Sequence, residues 1–155
     1  RDFCLSRGLG DVYKRQFLAY LKDHNPECRL TDCTMSPFDF LQNMKIFDRF
    51  FEEHPDVRHI ITFNSRAHLI SDWMEIRGVK DKKLLGFDML QANMRALKNG
   101  TISTLIAERT DKEAFKAIKA LIDFLVLRQK PAQRDSYSSL DILTRYNVDF
   151  YLVED

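Results

Sequence analysis

The fold is decided by a short apolar run that ends in a carboxylate, Leu84-Leu85-Gly86-Phe87-Asp88. Two further apolar runs end in a similar way, residues 58–63 in Asn64 and residues 101–107 in Glu108. Each run has the character of a strand, and each is followed by a stretch that can form a helix. Strands that alternate with helices over short connections predict an α/β fold with a doubly wound parallel sheet.

The polar residues that follow these strands predict one side of a binding cleft. In an open parallel sheet, ligands bind in the crevice outside the carboxyl ends of the strands. Asn64, Asp88 and Glu108 should therefore lie along one rim. A structural alternative stays open, because Asn64 and Asp88 are also favourable helix N-caps, with Asp88 and Gln91 forming a capping box. Glu108 could simply be a solvated side chain.

The remaining elements follow from apolar periodicity and from helix-terminating residues. Asn25-Pro26 ends a helix at residues 17–24, and Ser36-Pro37 opens another with Ser36 as its cap. The apolar stripe of this second helix consists of Phe40, Leu41, Met44, Phe47, Phe50 and Phe51. Further helices are predicted at 65–77, 89–98 and 110–130, and further strands at 29–35 and 138–144.

Composition is that of an ordinary globular domain. The chain has 155 residues, 45% hydrophobic and 30% charged, and its net charge of +1 gives no electrostatic argument for binding nucleic acid. Its three cysteines, Cys4, Cys28 and Cys33, show no metal-ligand spacing, and free thiols favour a cytoplasmic protein. No nucleophile motif, phosphate loop or dinucleotide motif is present, so we expect no catalytic residue, metal or cofactor.

The first residues differ in character from the rest of the chain. Residues 1–16 show no clear helical or strand period, and residues 4–16 resemble a translated adapter sequence of the kind found at the ends of metagenomic assemblies. We therefore expect residues 1–16 to be non-native or disordered. Residues 17–155 are expected to form one lobe of a larger protein that extends upstream.

The order of these features resembles a known superfamily over residues 17–151. Phe38 at a helix start, Phe63-Asn64, Gly86-Phe87-Asp88 and the strand that ends at Glu108 resemble the C-terminal lobe of type I periplasmic binding proteins and LacI/GalR-type regulators. This resemblance implies that Phe38 stacks on a sugar ring and that Asn64 and Asp88 bind its hydroxyls. The alternative for Phe38 is a place in the core.

Two positions depart from the pattern of that superfamily. Glu108 stands where the family usually has Gln, and an ionised carboxylate accepts hydrogen bonds but cannot donate them. The ligand can therefore differ from that of other members. The Arg that family members carry before the first helix would fall near Tyr13, inside the segment expected to be non-native.

The tail favours a regulator over a transport protein. Residues 140–151 resemble the closing segment of LacI-type regulators, which implies a sugar-like effector, control of DNA binding through a missing N-terminal helix-turn-helix, and a homodimer. Leu69 and Trp73, one turn apart on helix 65–77, are the residues most suited to face the partner subunit, unless the whole apolar set of this helix is buried. The alternatives are a periplasmic sugar receptor, a sensor domain of a membrane kinase or, less favoured, an enzyme on the same fold.

Overall fold

Helices and strands alternate along the chain in the computed structural model, which describes residues 9–36, 38–131 and 133–151. The helices are α1 (Leu9–His24), α2 (Phe40–Glu53), α3 (Ala67–Arg77), α4 (Gln91–Asn99), α5 (Thr110–Leu125) and a short 3-10 helix (Val148–Tyr151). The strands are β1 (His59–Ile61), β2 (Lys83–Phe87), β3 (Thr104–Ala107) and β4 (Asp141–Leu143). None of the described helices is long and apolar enough to cross a membrane.

The four described strands form one sheet in the order β1-β2-β3-β4. The pairs β1–β2 and β2–β3 are parallel, which confirms the predicted α/β fold, whereas β4 runs antiparallel to β3. Leu84, Leu105 and Leu143, one from each of three neighbouring strands, are fully buried. Burial of such side chains supplies most of the favourable free energy of folding.

Helices α3 and α4 cover the sheet with their apolar sides. Ala67, Ile70 and Met74 of α3 belong to the same buried cluster as Met94 and Leu97 of α4. Both helices end at a glycine in the left-handed conformation, Gly78 with φ 66° and Gly100 with φ 86°. Gly78 and Gly100 therefore stop the helices where the sequence predicts, because glycine adopts positive φ without a steric penalty.

Gly86 of β2 allows α3 to approach the sheet closely. A Cβ atom added at Gly86 would lie 2.4 Å from Cβ of Ala67 and 3.0 Å from Cδ2 of Leu105. Two side chains cannot share this space, and Ala67 is itself fully buried. The pair of small residues thus fixes the start of α3 over β2, immediately above the ends of the strands.

The side chain of Asp48 ties α2 to α3. It accepts hydrogen bonds from Nε1 of Trp73 at 2.9 Å and from Nε and Nη2 of Arg77 at 2.9 and 2.6 Å. The bonds from Arg77, followed by the bond from Trp73, hold the pKa of Asp48 below its usual value. Trp73 also stacks on Phe51 with ring centroids 4.6 Å apart.

This packing corrects the prediction that Trp73 faces a partner subunit. Only 4% of Trp73 is exposed in the single chain, so its indole has almost no surface to offer a second copy. Leu69 is half-buried, and the exposed apolar residue two turns further along α3 is Ile76. The outward side of α3 therefore contains Leu69 and Ile76 rather than Leu69 and Trp73.

Several predicted elements differ in the structure. Residues 29–35 contain no strand, in keeping with their polar composition. In α2 the buried residues are Asn43, Met44 and Phe47, whereas Phe40 and Leu41 are exposed. The N-cap of α2 is Asp39, which accepts from the backbone N–H of Gln42 at 2.8 Å, while Ser36 accepts from the N–H of Asp39. Pro37 lies outside the described residues.

Helix boundaries also differ at both ends of the chain. Residues 9–16 are helical and continuous with the helix predicted at 17–24, so the expectation of no regular structure before Phe17 is wrong for this part. Helix α5 ends at Leu125 rather than near residue 130, and it begins at Thr110 without a side-chain cap. None of the α5 side chains is buried. The native or non-native origin of residues 1–16 stays a prediction.

Candidate functional site

Three polar side chains follow neighbouring strands at the same edge of the sheet. Asn64 comes after β1, Asp88 directly after β2 and Glu108 directly after β3. The chain stays in register beyond the strands, because the N–H of Thr62 donates to the carbonyl of Leu85 at 3.0 Å. The N–H of Asp88 in turn donates to the carbonyl of Ile106 at 3.0 Å. Asp88 is thus at the centre of the rim, with Asn64 and Glu108 on either side.

Asp88 has the conformation and surroundings of a functional residue. Its φ of 68° is a left-handed value that few non-glycine residues adopt, although Asp tolerates it better than most. Its half-buried carboxylate makes no hydrogen bond or ion pair with any described residue, and burial raises its pKa above the usual value. At Asp88 the folded chain therefore has a strained backbone and a desolvated carboxylate, both of which are unfavourable. The carboxylate forms no stabilising contact with a described residue in return.

The capping alternative for Asp88 is wrong. Helix α4 begins at Gln91 with Leu90 at the N-cap position, and no side chain caps it. The backbone of Asp88 is instead held from the helix side by Asn93, whose Nδ2 donates to the carbonyls of Phe87 and Asp88, both at 3.1 Å. The carboxylate of Asp88 therefore takes no part in capping α4.

Asn93 is a residue that the sequence analysis missed. It is fully buried, its Nδ2 also donates to the carbonyl of Ser65 at 2.9 Å, and its Oδ1 accepts from the N–H of His68 at 2.9 Å. It therefore joins the segment after β1 to the segment after β2. The signal was present in the sequence, because Asn93 lies four residues before Leu97, on the apolar side of α4.

Asn64 combines a structural contact with a free donor. Its Oδ1 accepts from the backbone N–H of Arg66 at 2.9 Å, just before α3 begins at Ala67. The N-cap position of α3 is Arg66 and no side chain caps the helix, so the capping alternative is wrong for Asn64. Its Nδ2 has no partner among the described residues, so the amide can donate to a ligand at the rim.

Phe38 is not part of the core. Its side chain is 91% exposed, and the guanidinium of Arg66 lies 5.7 Å from the centre of its ring. An exposed aromatic ring next to the segment that carries Asn64 can stack on a planar or sugar-like ligand. Arg66, which the sequence analysis did not single out, connects this ring to the rim.

A row of aromatic rings lies beneath the rim. Phe63 and Phe87, each directly before a polar rim residue, have ring centroids 5.9 Å apart. Phe17 of α1 lies 5.7 Å from Phe63, and Tyr13 of α1 stacks on Phe87 at 5.5 Å. The aromatic–polar pairs Phe63-Asn64 and Phe87-Asp88 were visible in the sequence, but their proximity to each other was not.

Glu108 accepts a hydrogen bond from the hydroxyl of Tyr13, with Oε1 3.0 Å from the phenol oxygen. Burial, followed by this hydrogen bond, raises the pKa of Tyr13, and the charges of Glu108, Glu113 and Asp88 raise it further. Glu108 is thus engaged rather than free in solvent. The phenol of Tyr13 lies within the electrostatic reach of both rim carboxylates, at the position where the superfamily resemblance placed an Arg.

Comparison with known proteins agrees with this geometry. Neither a protein-family model nor a curated protein matches the chain. Among solved structures it is similar to a candidate LacI transcriptional regulator from Bacteroides fragilis, with 36% sequence identity and a TM-score of 0.84 over 89% of this chain and 47% of that one. The chain has a periplasmic-binding-protein-like fold.

Two further structures show this fold at low sequence identity. One is an arabinose-binding protein from Geobacillus stearothermophilus, with 19% identity and a TM-score of 0.72 over 89% of this chain and 50% of that one. The other is an ABC transporter solute-binding protein from Agrobacterium vitis bound with α-D-tagatopyranose, with 16% identity and a TM-score of 0.75 over 90% of this chain and 46% of that one. The chain spans about half the length of these proteins.

The antiparallel strand β4 of this sheet adds Asp141 to the rim. Asp141 pairs with Ala107, so the start of β4 lies beside the end of β3. Burial, followed by the negative charge of Asp141, raises the pKa of Tyr151, and the guanidinium of Arg109 lies 5.7 Å from the centre of the Tyr151 ring. These residues could not be placed at the rim from the sequence, because the sequence does not indicate the direction of β4.

Proposed function

We propose that this chain is the effector-binding lobe of a LacI-type transcriptional regulator and that its ligand is a sugar or sugar derivative. The observation that carries the proposal is Asp88, whose half-buried carboxylate has no partner among the described residues and follows the central strand in a left-handed conformation. Asn64 offers a free amide donor and Phe38 an exposed ring. Such a combination of polar groups and an aromatic surface suits a ligand that has both hydroxyls and an apolar face.

The regulator is favoured over a transport protein by the similarity to known structures. Identity to the candidate LacI regulator is 36%, whereas identity to the two sugar-binding proteins is 19% and 16%. In the complete protein, a second lobe would close over the ligand and so stabilise one of two conformations. That conformation would set the DNA affinity of an N-terminal helix-turn-helix in a cytoplasmic homodimer.

The experiment that tests this function uses the complete regulator, of which we propose that this chain is one lobe. D-Arabinose, D-tagatose, D-glucose and D-galactose are titrated by calorimetry, and DNA binding to its own upstream region is measured with and without each sugar. We expect one sugar to bind and to change the DNA affinity by about 5- to 150-fold, the usual range of allosteric coupling. Sugar binding without any DNA binding would instead favour a transport or receptor protein.

Replacing Phe38 with Ala should weaken sugar binding while leaving stability nearly unchanged. A ring that is 91% exposed contributes little to folding, so the loss of stability should be far below the roughly 3–5 kcal/mol of a buried Phe truncation. Loss of one aromatic stacking contact should cost about 0.5–1.5 kcal/mol of binding.

The matched control for Phe38 is Tyr146→Ala. Tyr146 is 80% exposed and has the guanidinium of Arg145 5.0 Å from its ring centre. Because β4 is antiparallel, Tyr146 follows it at the end of the sheet opposite to the rim. Calorimetry and thermal melting of both variants separate the two roles. A stability loss of core size in Phe38→Ala, or equal loss of binding in both variants, would contradict a stacking role.

We also propose that α3 supplies part of the homodimer interface through Leu69 and Ile76. These residues are two helical turns apart, and Ile76 is 57% exposed. Replacing Leu69 with Glu should give folded monomers in light scattering, because a charge buried in an interface without a partner is strongly unfavourable. Ile142→Glu, at a site 67% exposed on β4, is the control. A Leu69→Glu protein that is folded and still dimeric would place the interface elsewhere.

A further inference from the structure

We infer that Glu108 is a specificity-determining residue that, together with Asp88, makes the site select ligands with hydrogen-bond donors and no negative charge. The class is neutral and amino sugars, with sugar phosphates and sugar acids rejected. This inference rests on the proposed function, because it concerns the ligand of the same site.

The contact between Tyr13 and Glu108 shows which way the carboxylate points. The ring of Tyr13 stacks on Phe87 with ring centroids 5.5 Å apart, and the Tyr13 hydroxyl donates to Oε1 of Glu108 at 3.0 Å. Tyr13 lies in the segment expected to be non-native. Its position therefore indicates the space above Phe87 that a ligand can occupy. A ligand hydroxyl or ammonium group in that space can make the same bond to Glu108.

The charges around this space are negative. Burial and the hydrogen bond to Glu108, followed by the negative charges of Glu108, Glu113 and Asp88, raise the pKa of Tyr13, so all three carboxylates lie within electrostatic reach of its phenol. Neither Asp88 nor Glu108 forms an ion pair with a described cation. Both arginines of the rim have other contacts, Arg66 with the ring of Phe38 and Arg109 with Asp111 at 3.9 Å and with the ring of Tyr151.

Two carboxylates without a countercharge discriminate by charge and by hydrogen bonding. An ionised carboxylate can only accept hydrogen bonds, so it favours hydroxyl and ammonium donors. A phosphate or carboxylate placed beside Asp88 and Glu108 would be repelled, and partial burial weakens the screening of that repulsion by solvent. A Gln at residue 108 would keep the size and one acceptor of Glu108 but remove its charge.

The experiment compares four related ligands that carry different charges, using the complete protein. For D-glucose and for D-galactose, calorimetry measures the dissociation constants of the neutral sugar, its 2-amino derivative, its 6-phosphate and its uronic acid. We expect the phosphate and the acid to bind at least about tenfold more weakly than the neutral sugar, a difference of about 1.4 kcal/mol. We expect the amino sugar to bind at least as tightly as the neutral one.

Variants of Glu108 assign this selectivity to its charge. Glu108→Gln should reduce the ratio of neutral to phosphorylated affinity severalfold, whereas Glu108→Asp, which keeps the charge, and Glu53→Gln, which removes an exposed charge from the end of α2, should preserve it. The ratio of the unchanged protein should also fall as salt is raised, since salt screens charge–charge repulsion. A purely structural role for Glu108 would change melting temperature but not the ratio.

The outcomes separate this inference from the proposed function. Binding of a sugar phosphate or sugar acid as the tightest ligand, or an unchanged ratio in Glu108→Gln, overturns the inference and leaves the sugar-binding function standing. Failure of all eight compounds and of D-arabinose and D-tagatose to bind overturns both.

Discussion

Replacing Asp88 with Asn in the complete protein should weaken sugar binding by about 10- to 150-fold while the protein keeps its fold. The range corresponds to about 1.5–3 kcal/mol for the loss of a charged hydrogen-bonding partner. Asn is the appropriate substitution because it tolerates the left-handed φ of 68° that residue 88 requires, whereas Ala would add backbone strain. Binding measured by calorimetry should fall, and the circular dichroism spectrum should not change.

The same variant should be more stable than the unchanged protein at neutral pH. Burial raises the pKa of Asp88, so the folded state binds the proton of this carboxyl more tightly than the unfolded state does. The stability that this proton gives is fully present below the unfolded pKa of about 3.9 and is lost as pH rises through the folded pKa. Asp88→Asn removes this loss, so its melting temperature should exceed that of the unchanged protein at pH 7 and approach it near pH 4.

Two further variants serve as comparisons for Asp88. Asp56→Asn changes an exposed carboxylate in the loop before β1, at the other end of the strands, and should alter neither binding nor stability. Asn64→Ala should weaken binding and also cost some stability, because Oδ1 of Asn64 holds the N–H of Arg66. If Asp88→Asn melts well below the unchanged protein and still binds sugar normally, Asp88 is structural and the proposed site is wrong.

Replacing Gly86 with Ala should destabilise the fold by about 3 kcal/mol or more, at the upper end of the range for overpacked cores. The added Cβ would lie 2.4 Å from Cβ of Ala67, and neither atom can move by side-chain rotation. Helix α3 would have to shift away from β2, and Asn64 and Asn93 would be disturbed with it. Chemical denaturation of the chain itself measures this effect without a ligand.

A double-mutant cycle shows whether this clash is the cause. Ala67→Gly alone should cost about 1 kcal/mol, because glycine is unfavourable in a helix and a buried methyl group is lost. In the double variant the added methyl group at residue 86 takes the space vacated at residue 67. The double variant should therefore be more stable than Gly86→Ala alone. Additive destabilisation would contradict the proposed Gly86–Ala67 contact.

The positions of the rim residues could be predicted from sequence because they depend only on the order of strands and helices along the chain. Three strands that alternate with helices must place their carboxyl ends at one edge, so Asn64, Asp88 and Glu108 come together whatever the details of packing. The direction of β4 does not follow from order. It is three residues long and comes after a connection of fifteen residues, and nothing local determines from which edge such a strand returns to the sheet.

The role of each side chain was harder to predict than its place. Whether Asp88 caps α4 depends on where the first turn begins, and the two residues that intervene before Gln91 are compatible with either outcome. Trp73 belongs to an apolar set spread around α3, so periodicity does not show its direction. Its burial depends on Asp48, a partner 25 residues away in the sequence that satisfies the indole N–H.

The most direct test of the proposed sugar site is a crystal structure of the complete protein with the tightest-binding sugar of those titrated. We expect Asp88 and the Nδ2 of Asn64 within hydrogen-bond distance of the sugar hydroxyls, at about 2.6–3.2 Å. We expect the ring of Phe38 against one face of the sugar and Glu108 at its edge. A sugar bound elsewhere, or bound at this edge without contact to Asp88, would contradict the account.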